Sequence, residues 1–351
     1  MNAGNRSVEK GWTRLDPTDQ RWLAYVASKP EAMVFHHPAW MQVLARCYGH
    51  RAFVVAVHDD AGNIVAGLPM LDVRSLITGR RWVSLPFTDF CPPLYDDAAS
   101  HDRLADSLVS LHADHAAPRI EVRWQLPARS TITAGAPFVL HMLNLDADPD
   151  RVRGGLKRQH LQNIRAAEKH GVRIVWGKEP DDMRLFYRLH TETRQRLGVP
   201  VQPWRFFKLL QSQVLEQGLG FLLFAYHGDT VLATGLFLHW QKSITYKYAA
   251  STQVAQDLRP NNLLTWEAIS WACEHGLTQF DWGRSDLENE GLRRYKRGWG
   301  AEEIPLVYST LPAAPSRQVD GRASELLHRV ITKSPAWVCR ATGELLYRHF
   351  G

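Results

Sequence analysis

The chain has 351 residues, 45% of them hydrophobic, so its length and composition allow about two domains of roughly 150 residues, each with its own core. It carries 42 Lys and Arg against 36 Asp and Glu, and the resulting charge of +6 favours acidic partners such as phosphates, nucleotides or RNA. The four cysteines form no CxxC pair, so the sequence shows neither a zinc knuckle nor a disulfide framework. The first ten residues are polar, and no run approaches the roughly 20 apolar residues of a membrane span, so we expect a soluble, cytoplasmic protein.

Helices and strands alternate in the first half of the chain, as they do in a mixed α/β domain. Pro92 and Pro93 fix a loop after the third strand. The segment DADPD marks the end of a first domain, which we place at residues 1–150. Its predicted elements are helices at 17–27 and 35–48, a hairpin at 53–71, a strand at 80–87, a helix at 101–115, and strands at 119–124 and 140–145.

The second half repeats this alternation, and Gly171 and Gly276 follow two of its helices as C-terminal glycines do. We place a second domain at 151–312 and a linker with C-terminal helices at 313–351, because the stretch after residue 310 is rich in Pro, Ala and Ser. The predicted elements are helices at 151–171, 181–197 and 203–217, a hairpin at 221–238, a strand at 243–251, a helix at 260–275, a strand at 277–282, a turn or short helix at 291–300, and a strand at 303–310.

A hairpin pattern occurs twice, about half a chain length apart. The stretch FVVAVHDDAGNIVAGLPML in the first half is similar to FLLFAYHGDTVLATGLFL in the second, with His58 matching His227 and Gly67 matching Gly235. Hairpins with Asp-Gly turns are common, so the repeat could arise by coincidence. The shared His and Gly favour duplication, which predicts two copies of one α/β domain.

A basic helix opens the second domain. Lys157 and Arg158 share one side of this helix with Leu161 and Arg165 by three- and four-residue spacing, and the stretch has few acidic neighbours. Such a cluster can hold phosphates or RNA. The alternative is a solvated helix face that binds nothing.

Two short polar patterns follow in the second domain. Tyr246 and Tyr248 are two residues apart on a predicted strand, so we expect both on one face, where they line a pocket or cover a core. Arg284 lies in DWGRSD, directly after the strand that ends near Gly283. It could bind a carboxylate or phosphate, or form a structural pair with Asp281 or Asp286.

The stretch GLRRYKRGWG from Gly291 to Gly300 is the strongest candidate for a functional site. It alternates four cations with aromatics and glycines. Glycines permit the close approach of a ligand, and cations stabilise developing negative charge. The sequence contains no Walker loop, GxGxxG, HExxH or GxSxG pattern, which argues against a dinucleotide site, a bound ATP and a zinc protease centre.

These stretches together resemble the Fem-type family of peptidyl- and aminoacyltransferases with GNAT-like domains. The resemblance rests on LKRQHLQNIRAAEKHGV, ATGLFLHWQKSITYKYAAS, FDWGRSD and GLRRYKRGWG, and is clear over about residues 151–308. It is most similar to the branch associated with exosortase and exopolysaccharide loci. The resemblance implies two tandem GNAT-like acyltransferase domains, with the C-terminal helices packing back on the first.

Individual residues match the family's motifs. Tyr295 and Lys296 correspond to an aromatic–lysine pair at the transfer site, which makes them the implied catalytic residues. Tyr248 corresponds to an aromatic residue that helps to bind the acceptor, and we add its neighbour Tyr246 to the expected substrate site.

Other matches are looser. Arg194 and Arg196 correspond to arginines that contact acceptor phosphates, and Asp96 or Asp97 to an acidic residue after a Pro-rich loop. Some relatives insert a coiled-coil arm in the second domain, but here the basic helix runs directly into VRIVW. The donor therefore stays open between acyl-CoA and aminoacyl-tRNA, with no tightly bound cofactor and no metal.

The predicted function is the transfer of an acyl or aminoacyl group to an amine of a cell-envelope precursor, of peptidoglycan or exopolysaccharide. The expected partners are a lipid- or nucleotide-linked precursor and aminoacyl-tRNA, with no DNA, and a lipid-linked precursor would bring the protein to the inner face of the membrane. The alternatives are a non-catalytic nucleotide- or RNA-binding module and a scaffold on a degenerate GNAT-like fold.

Overall fold

A computed structural model describes residues 11–177, 179–253, 257–312 and 328–349, and the chain divides into two compact units. The first unit contains Met1–Phe138, Pro305–Arg317 and Tyr347–Gly351, and the second contains Val139–Ile304 and Gln318–Leu346. The chain thus passes between units near residues 138 and 304, whereas the sequence suggested boundaries near 150 and 312. Most of the predicted linker lies outside the described residues.

The first unit is a sheet with helices packed on it. Its strands lie in the order β1-β2-β3-β4-β6-β13, and neighbours are antiparallel except β4 and β6, which are parallel. Trp82, Leu108 and Ile120 are fully buried in its core. The elements are β1 (Trp12–Leu15), α1 (Gln20–Ser28), α2 (Pro38–Tyr48), β2 (Arg51–His58), β3 (Ile64–Ser75), β4 (Gly79–Val83), β5 (Leu94–Tyr95), α3 (Ala98–Ala113), β6 (Ile120–Val122) and the later part of β13 (Glu302–Leu311).

The second unit has the strand order β8-β9-β10-β11-β12, again antiparallel except for the last pair, β11 and β12. Phe237, Leu264 and Phe280 are fully buried in its core. The elements are β7 (Thr133–Asn144, shared between the units), α4 (Pro149–Gly154), α5 (Arg158–Lys169), β8 (Arg173–Gly177), α6 (Pro180–Arg196), α7 (Trp204–Gln213), β9 (Gly220–His227), β10 (Thr230–Trp240), β11 (Ser243–Ser251), α8 (Pro260–Glu274), β12 (Gln279–Asp286), α9 (Glu290–Arg297) and α10 (Ala336–Leu346).

The two units repeat one topology. In each, a strand is followed by two helices, an antiparallel hairpin, a third antiparallel strand, a helix and a strand parallel to the third. Both predicted hairpins are confirmed, as β2–β3 and β9–β10. The repeat in the sequence therefore reflects a repeat in the fold.

The C-terminal helix α10 contacts α6 of the second unit, whereas the resemblance implied packing on the first domain. Cys339 Sγ donates a hydrogen bond to the carbonyl of Val199 at 3.3 Å, and Gly343 lies directly against the backbone of Val201. This close backbone approach explains the placement, because only a glycine in α10 leaves room for it. The chain then returns to the first unit, where the ring of Tyr347 lies 5.2 Å from that of Phe87.

Candidate functional site

The parallel strands β11 and β12 pair over three residues only, Ser243–Thr245 with Gln279–Asp281. Both strands continue, to Ser251 and Asp286, without further pairing between them among the described residues. The separation begins at Asp281, whose fully buried carboxylate accepts hydrogen bonds from Thr245 Oγ1 at 3.0 Å and from the amide of Gly283 at 2.7 Å. Beyond Asp281, β12 therefore no longer pairs with β11 among the described residues, while β7 is its other neighbour in the sheet.

Lys296 lies against the part of β12 that follows Asp281. It projects from α9, is 6% exposed, and donates from Nζ to the carbonyls of Gly283 and Arg284, each at 3.0 Å. Gly283 has φ +69°, a left-handed conformation that glycine adopts without strain. The backbone at Gly283 and the ammonium of Lys296 thus form one local unit, which places a positive charge on β12 just beyond its pairing with β11.

A histidine–glutamate pair adjoins the lysine. His141 on β7 is fully buried and its Nε2 lies 3.2 Å from Glu303 Oε1, while Arg293 binds both oxygens of Glu303 at 2.9 and 2.8 Å. Burial and the charge of Lys296 lower the pKa of His141. The hydrogen bonds from Arg293 lower the pKa of Glu303 to about 2. Sequence reasoning missed both residues, although an imidazole inside the apolar strand LHMLNL was a usable signal.

Tyr295 lies on the core side of α9. Its ring contacts those of His160 at 5.1 Å and Trp282 at 6.2 Å, in edge-on geometry. The imidazole of His160 donates from Nε2 to the carbonyl of Tyr295 at 3.2 Å and accepts at Nδ1 from Asn262 at 2.9 Å. Burial raises the pKa of Tyr295. The tyrosine is thus fixed by its neighbours, and its catalytic role stays a prediction.

Tyr246 and Tyr248 face opposite sides of the sheet, so the prediction of a shared face is wrong. Leu236 of β10 pairs with Tyr248, but Phe237 pairs with Tyr246, which leaves Lys247 as the extra residue of a β-bulge. Because adjacent residues of β10 face opposite sides, their partners do so as well. The ring of Tyr246 stacks on Phe237 at 4.4 Å, and burial raises its pKa.

Tyr248 instead contacts helices α6 and α7. Its hydroxyl accepts a hydrogen bond from Gln202 Nε2 at 3.1 Å, and its ring lies 5.1 Å from that of His190 and 5.7 Å from that of Phe207. Burial, with a smaller contribution from the charge of Arg194, lowers the pKa of His190 to about 3. The structure therefore does not place the rings of Tyr248 and Tyr295 side by side.

The predicted basic helix is two helices. Gly154 is the last residue of α4 and Gly155 is its C-cap, and α5 begins only at Arg158, since glycine disfavours a helix interior. Lys157 and Arg158 are exposed at the start of α5, and the amide of Lys157 donates to the carbonyl of Gly298 at 2.9 Å. The cations thus begin a helix that is tied to the end of α9, and their solvent exposure fits either phosphate binding or a solvated face.

The two arginines of α6 contact backbone carbonyls. Arg194 Nε donates to Pro200 O at 3.0 Å, and Arg196 donates to Ser251 O at the end of β11. Arg284 is partly exposed on β12, beyond the three residues that pair with β11. Arg194 and Arg196 thus have structural partners, and the binding roles of all three arginines stay predictions.

The acidic residues of the first unit also have structural partners. Asp96 lies 2.7 Å from Lys29 Nζ and accepts from the hydroxyl of Tyr25 at 3.0 Å. Asp97 is the N-cap of α3 and accepts from the amide of Ser100 at 2.7 Å. The expected role of Asp96 in substrate binding therefore stays a prediction, since its carboxylate already forms an ion pair with Lys29.

The described parts of the chain show neither a metal site nor a helix that could span a membrane. Within those ranges, no three His, Cys, Asp or Glu residues are grouped as a metal site would require. Among the described helices, none is both long and apolar enough to cross a bilayer.

The topology of each unit is that of a GNAT-like domain, so the protein has two tandem GNAT-like domains, as the sequence predicted. Residues 155–297 match the family described as "Acetyltransferase (GNAT) domain". A lipid II:glycine glycyltransferase of Staphylococcus haemolyticus (strain JCSC1435) is 33% identical over 85 residues, which are 22% of this chain and 20% of that protein. The chain thus matches about a fifth of the length of this relative.

Solved structures show the same fold along most of the chain. FemX has a TM-score of 0.68 at 15% identity, covering 90% of this chain and 100% of that one. The C-terminal domain of a putative lysylphosphatidylglycerol synthetase from Agrobacterium fabrum has a TM-score of 0.56 at 13% identity, with 88% and 93% covered. A tandem GNAT protein from the clavulanic acid biosynthesis pathway, solved without AcCoA, has a TM-score of 0.52 at 14% identity, with 87% and 99% covered.

Proposed function

We propose that this protein is an acyl- or aminoacyltransferase that forms an amide on an amine of a cell-envelope precursor. The observation that carries the proposal is the buried ammonium of Lys296, which binds the backbone of β12 just beyond the point where β12 stops pairing with β11. A fixed positive charge there stabilises negative charge that develops during acyl transfer, at little cost in reorganisation. The GNAT-like fold and the glycyltransferase similarity support the reaction class.

In the proposed reaction, the acceptor nitrogen attacks the donor carbonyl carbon, and the carbonyl oxygen becomes an oxyanion near Lys296. The oxyanion then collapses, the carbon–nitrogen bond remains, and the bond to the leaving group breaks. The nitrogen releases its proton to solvent, and the departing thiolate or alkoxide takes up a proton. An amine that is already oriented needs little help from a base, so binding and positioning of the acceptor, in which Arg284 on β12 would take part, would supply much of the rate.

The proposed acceptor is a lipid- or nucleotide-linked precursor of peptidoglycan or exopolysaccharide. The similar staphylococcal proteins are named for lipid II and glycine, which supports an acceptor of this kind. The exposed Lys157 and Arg158 would bind its phosphates or those of the donor. Acyl-CoA and aminoacyl-tRNA are the two donor classes to compare, since AcCoA is named for the tandem GNAT protein and the glycyltransferases transfer an amino acid.

The test is a transfer assay with the full chain. Purified protein is incubated with labelled acetyl-CoA or glycyl-tRNA and a muropeptide carrying a free amine, and the amide product is identified by mass spectrometry. An acceptor whose amine is blocked is the chemical control. Amide formed only on the free amine supports the proposal.

Absence of transfer with both donors, together with RNA binding that weakens steeply with salt, would instead identify a non-catalytic nucleic-acid-binding module. The exposed cations of α5 are the observation that favours this second function.

A further inference from the structure

The turn between β3 and β4 carries two exposed aliphatic side chains at its tip. Leu76 is 100% exposed and its neighbour Ile77 is 57% exposed. Hairpin turns are normally built from Gly, Asn, Asp, Ser or Pro, because these residues suit the backbone and solvent. A single exposed leucine needs no explanation, but two adjacent aliphatic residues at the most protruding part of a hairpin do.

The tip is ordered by hydrogen bonds. Ser75 Oγ accepts from the amides of Ile77 and Thr78 at 3.1 and 2.9 Å, which closes the turn. Thr78 Oγ1 donates to the carbonyl of His349 at 2.9 Å, and Ser75 Oγ lies 3.1 Å from His349 Nδ1. The C-terminal end of the chain therefore braces the turn within the first unit, and the two aliphatic side chains project from a fixed base.

The base of the same hairpin is rich in arginine. Arg74 and Arg80 are cross-strand partners, and both pair with Asp72, at 3.3 and 2.9 Å. Arg51 lies opposite Asp72 on β2. Arg348 is also near this base, because both Arg348 and Asp72 are close enough to His50 to affect the pKa of its imidazole. Asp72 thus pairs with two guanidinium groups while two further arginines lie nearby, so the hairpin base has an excess of positive charge.

We propose that this hairpin docks the protein on an anionic lipid bilayer. Leu76 and Ile77 would enter the boundary between headgroups and acyl chains, while Arg74 and Arg348 bind the phosphates of anionic lipids. A bilayer suits this feature better than a protein partner, since two side chains offer far less apolar area than a stable interface of about 800 Å² per partner. The contact is independent of the transfer reaction, and it would bring the protein to a surface that holds lipid-linked molecules.

The experiment is flotation of the full chain with vesicles of phosphatidylcholine alone or mixed with phosphatidylglycerol. The wild type should float with the mixed vesicles, less so with the neutral ones, and binding should weaken as salt rises. The double variant Leu76→Ser/Ile77→Ser should bind about tenfold more weakly or worse, since it removes the inserting groups. Arg74→Gln and Arg348→Gln should each reduce binding to mixed vesicles about fivefold.

The matched control is Leu197→Ser, because Leu197 is 58% exposed but lies in the second unit. It should bind vesicles like the wild type, and thermal melts should show that all variants are folded. Wild-type protein that fails to float, or a Leu76→Ser/Ile77→Ser variant that floats equally well, would overturn the proposal. Loss of self-association in the double variant, measured by sedimentation without lipid, would show a contact between copies of the chain instead. None of these outcomes depends on transfer activity.

Discussion

At the scale of single residues, Lys296 both carries a buried positive charge and holds the backbone of β12 in place. Its ammonium binds two backbone carbonyls of β12 and is almost fully buried. A sequence pattern indicated its importance because glycines and cations flank it. The pattern could not show which carbonyls it would meet, since Gly283 and Arg284 reach it only through the packing of α9 on β12. The same holds for His141 and Glu303, which are far apart in sequence.

We predict that Lys296→Met lowers transfer by about 10²-fold or more, the scale for loss of one oxyanion-stabilising group. It should also lower the free energy of unfolding by about 1–3 kcal/mol, because two carbonyls lose their donor. Single-turnover transfer and urea unfolding measure the two effects separately.

Lys296→Arg is the companion variant. It keeps the charge but changes its shape and reach, so we expect partial recovery of transfer. If Lys296→Met transfers the acyl group at the wild-type rate, at a temperature where the variant is folded, the role of the lysine is structural only.

His190 makes stability depend on pH. Burial lowers its pKa to about 3 from 6.5, so the folded protein holds the neutral imidazole and the unfolded chain takes up a proton first. The free energy of unfolding should therefore be unaffected by this group above pH 6.5 and should fall as the pH drops below it, by up to about 1.4 kcal/mol per pH unit. His190→Gln should reduce this loss of stability at low pH, whether or not the substitution also lowers the free energy of unfolding at neutral pH.

Urea unfolding at several values between pH 7.5 and about 4.5 tests this prediction, since one proton contributes at most the slope given above. The control is His115→Asn, because His115 is exposed and has φ +56°, a conformation that asparagine accepts. Equal slopes for wild type and His190→Gln would contradict the prediction.

At the scale of elements, the bounds of β11 were predicted in full, but the faces of its residues were not. A strand pattern assumes strict alternation, and the bulge at Lys247 breaks it. Gly67 and Gly235 also differ in their packing although they match in the sequence repeat. Gly67 makes room for Trp22 of α1, and Gly235 makes room for Leu264 of α8. Tertiary packing decides which side of the sheet a residue faces, and the similarity of two sequence segments does not show it.

We predict that both deletion of Lys247 and Lys247→Ala leave a folded protein. Lys247 is the extra residue of the bulge, so its deletion keeps Leu236 opposite Tyr248 and Phe237 opposite Tyr246, and Ile244 and Tyr246 stay on the core side of the sheet. Lys247→Ala only removes a half-exposed side chain that lies over the Tyr248 ring at 5.5 Å. Circular dichroism melts test both variants, and loss of the cooperative transition in the deletion variant would refute the assignment of Lys247 as the extra residue of the bulge.

The contact of α10 gives another test. A methyl group on Gly343 would lie 1.7 Å from the carbonyl oxygen of Val201, so Gly343→Ala must push α10 away or distort the loop after α6. We expect a loss of about 1–3 kcal/mol, as in overpacked cores. Gly154→Ala is the control, because nothing lies within 4 Å of its added methyl and alanine favours a helix. Equal melting temperatures for both variants would show that α10 does not approach Val201 so closely.

At the scale of the whole molecule, composition and the repeated hairpin were enough to predict two α/β domains of one kind. They did not give the path of the chain. A boundary at DADPD looks natural because the segment is acidic and contains proline, but β7 and β13 each contribute residues to both units. Strand β13 illustrates why: its earlier residues include Glu303 of the second unit, and its later residues pair with β6 of the first. Pairing of strands distant in sequence overrides a local signal.

We therefore predict that a fragment of residues 1–150 does not fold cooperatively. It lacks Ser309–Leu311, which pair with Ile120–Val122 of β6. Leu311 is fully buried in the core of the first unit, and Ser309 Oγ accepts from the amide of Leu126 at 2.9 Å. Loss of this strand exposes an apolar sheet edge and opens the core, so the fragment should bind a hydrophobic dye and show a broad melt.

Residues 305–312 joined to residue 138 of the first unit through a flexible Gly/Ser linker should restore a sharp melt, because the missing strand is then supplied in cis. The same fusion with Leu311→Asp should fail, since it would bury an unpaired carboxylate in that core. Near-ultraviolet circular dichroism and thermal melts compare the fragment of residues 1–150, the fusion and the fusion with Leu311→Asp. A fragment of residues 1–150 that melts as sharply as the strand-restored fusion would show that the first unit is complete without β13.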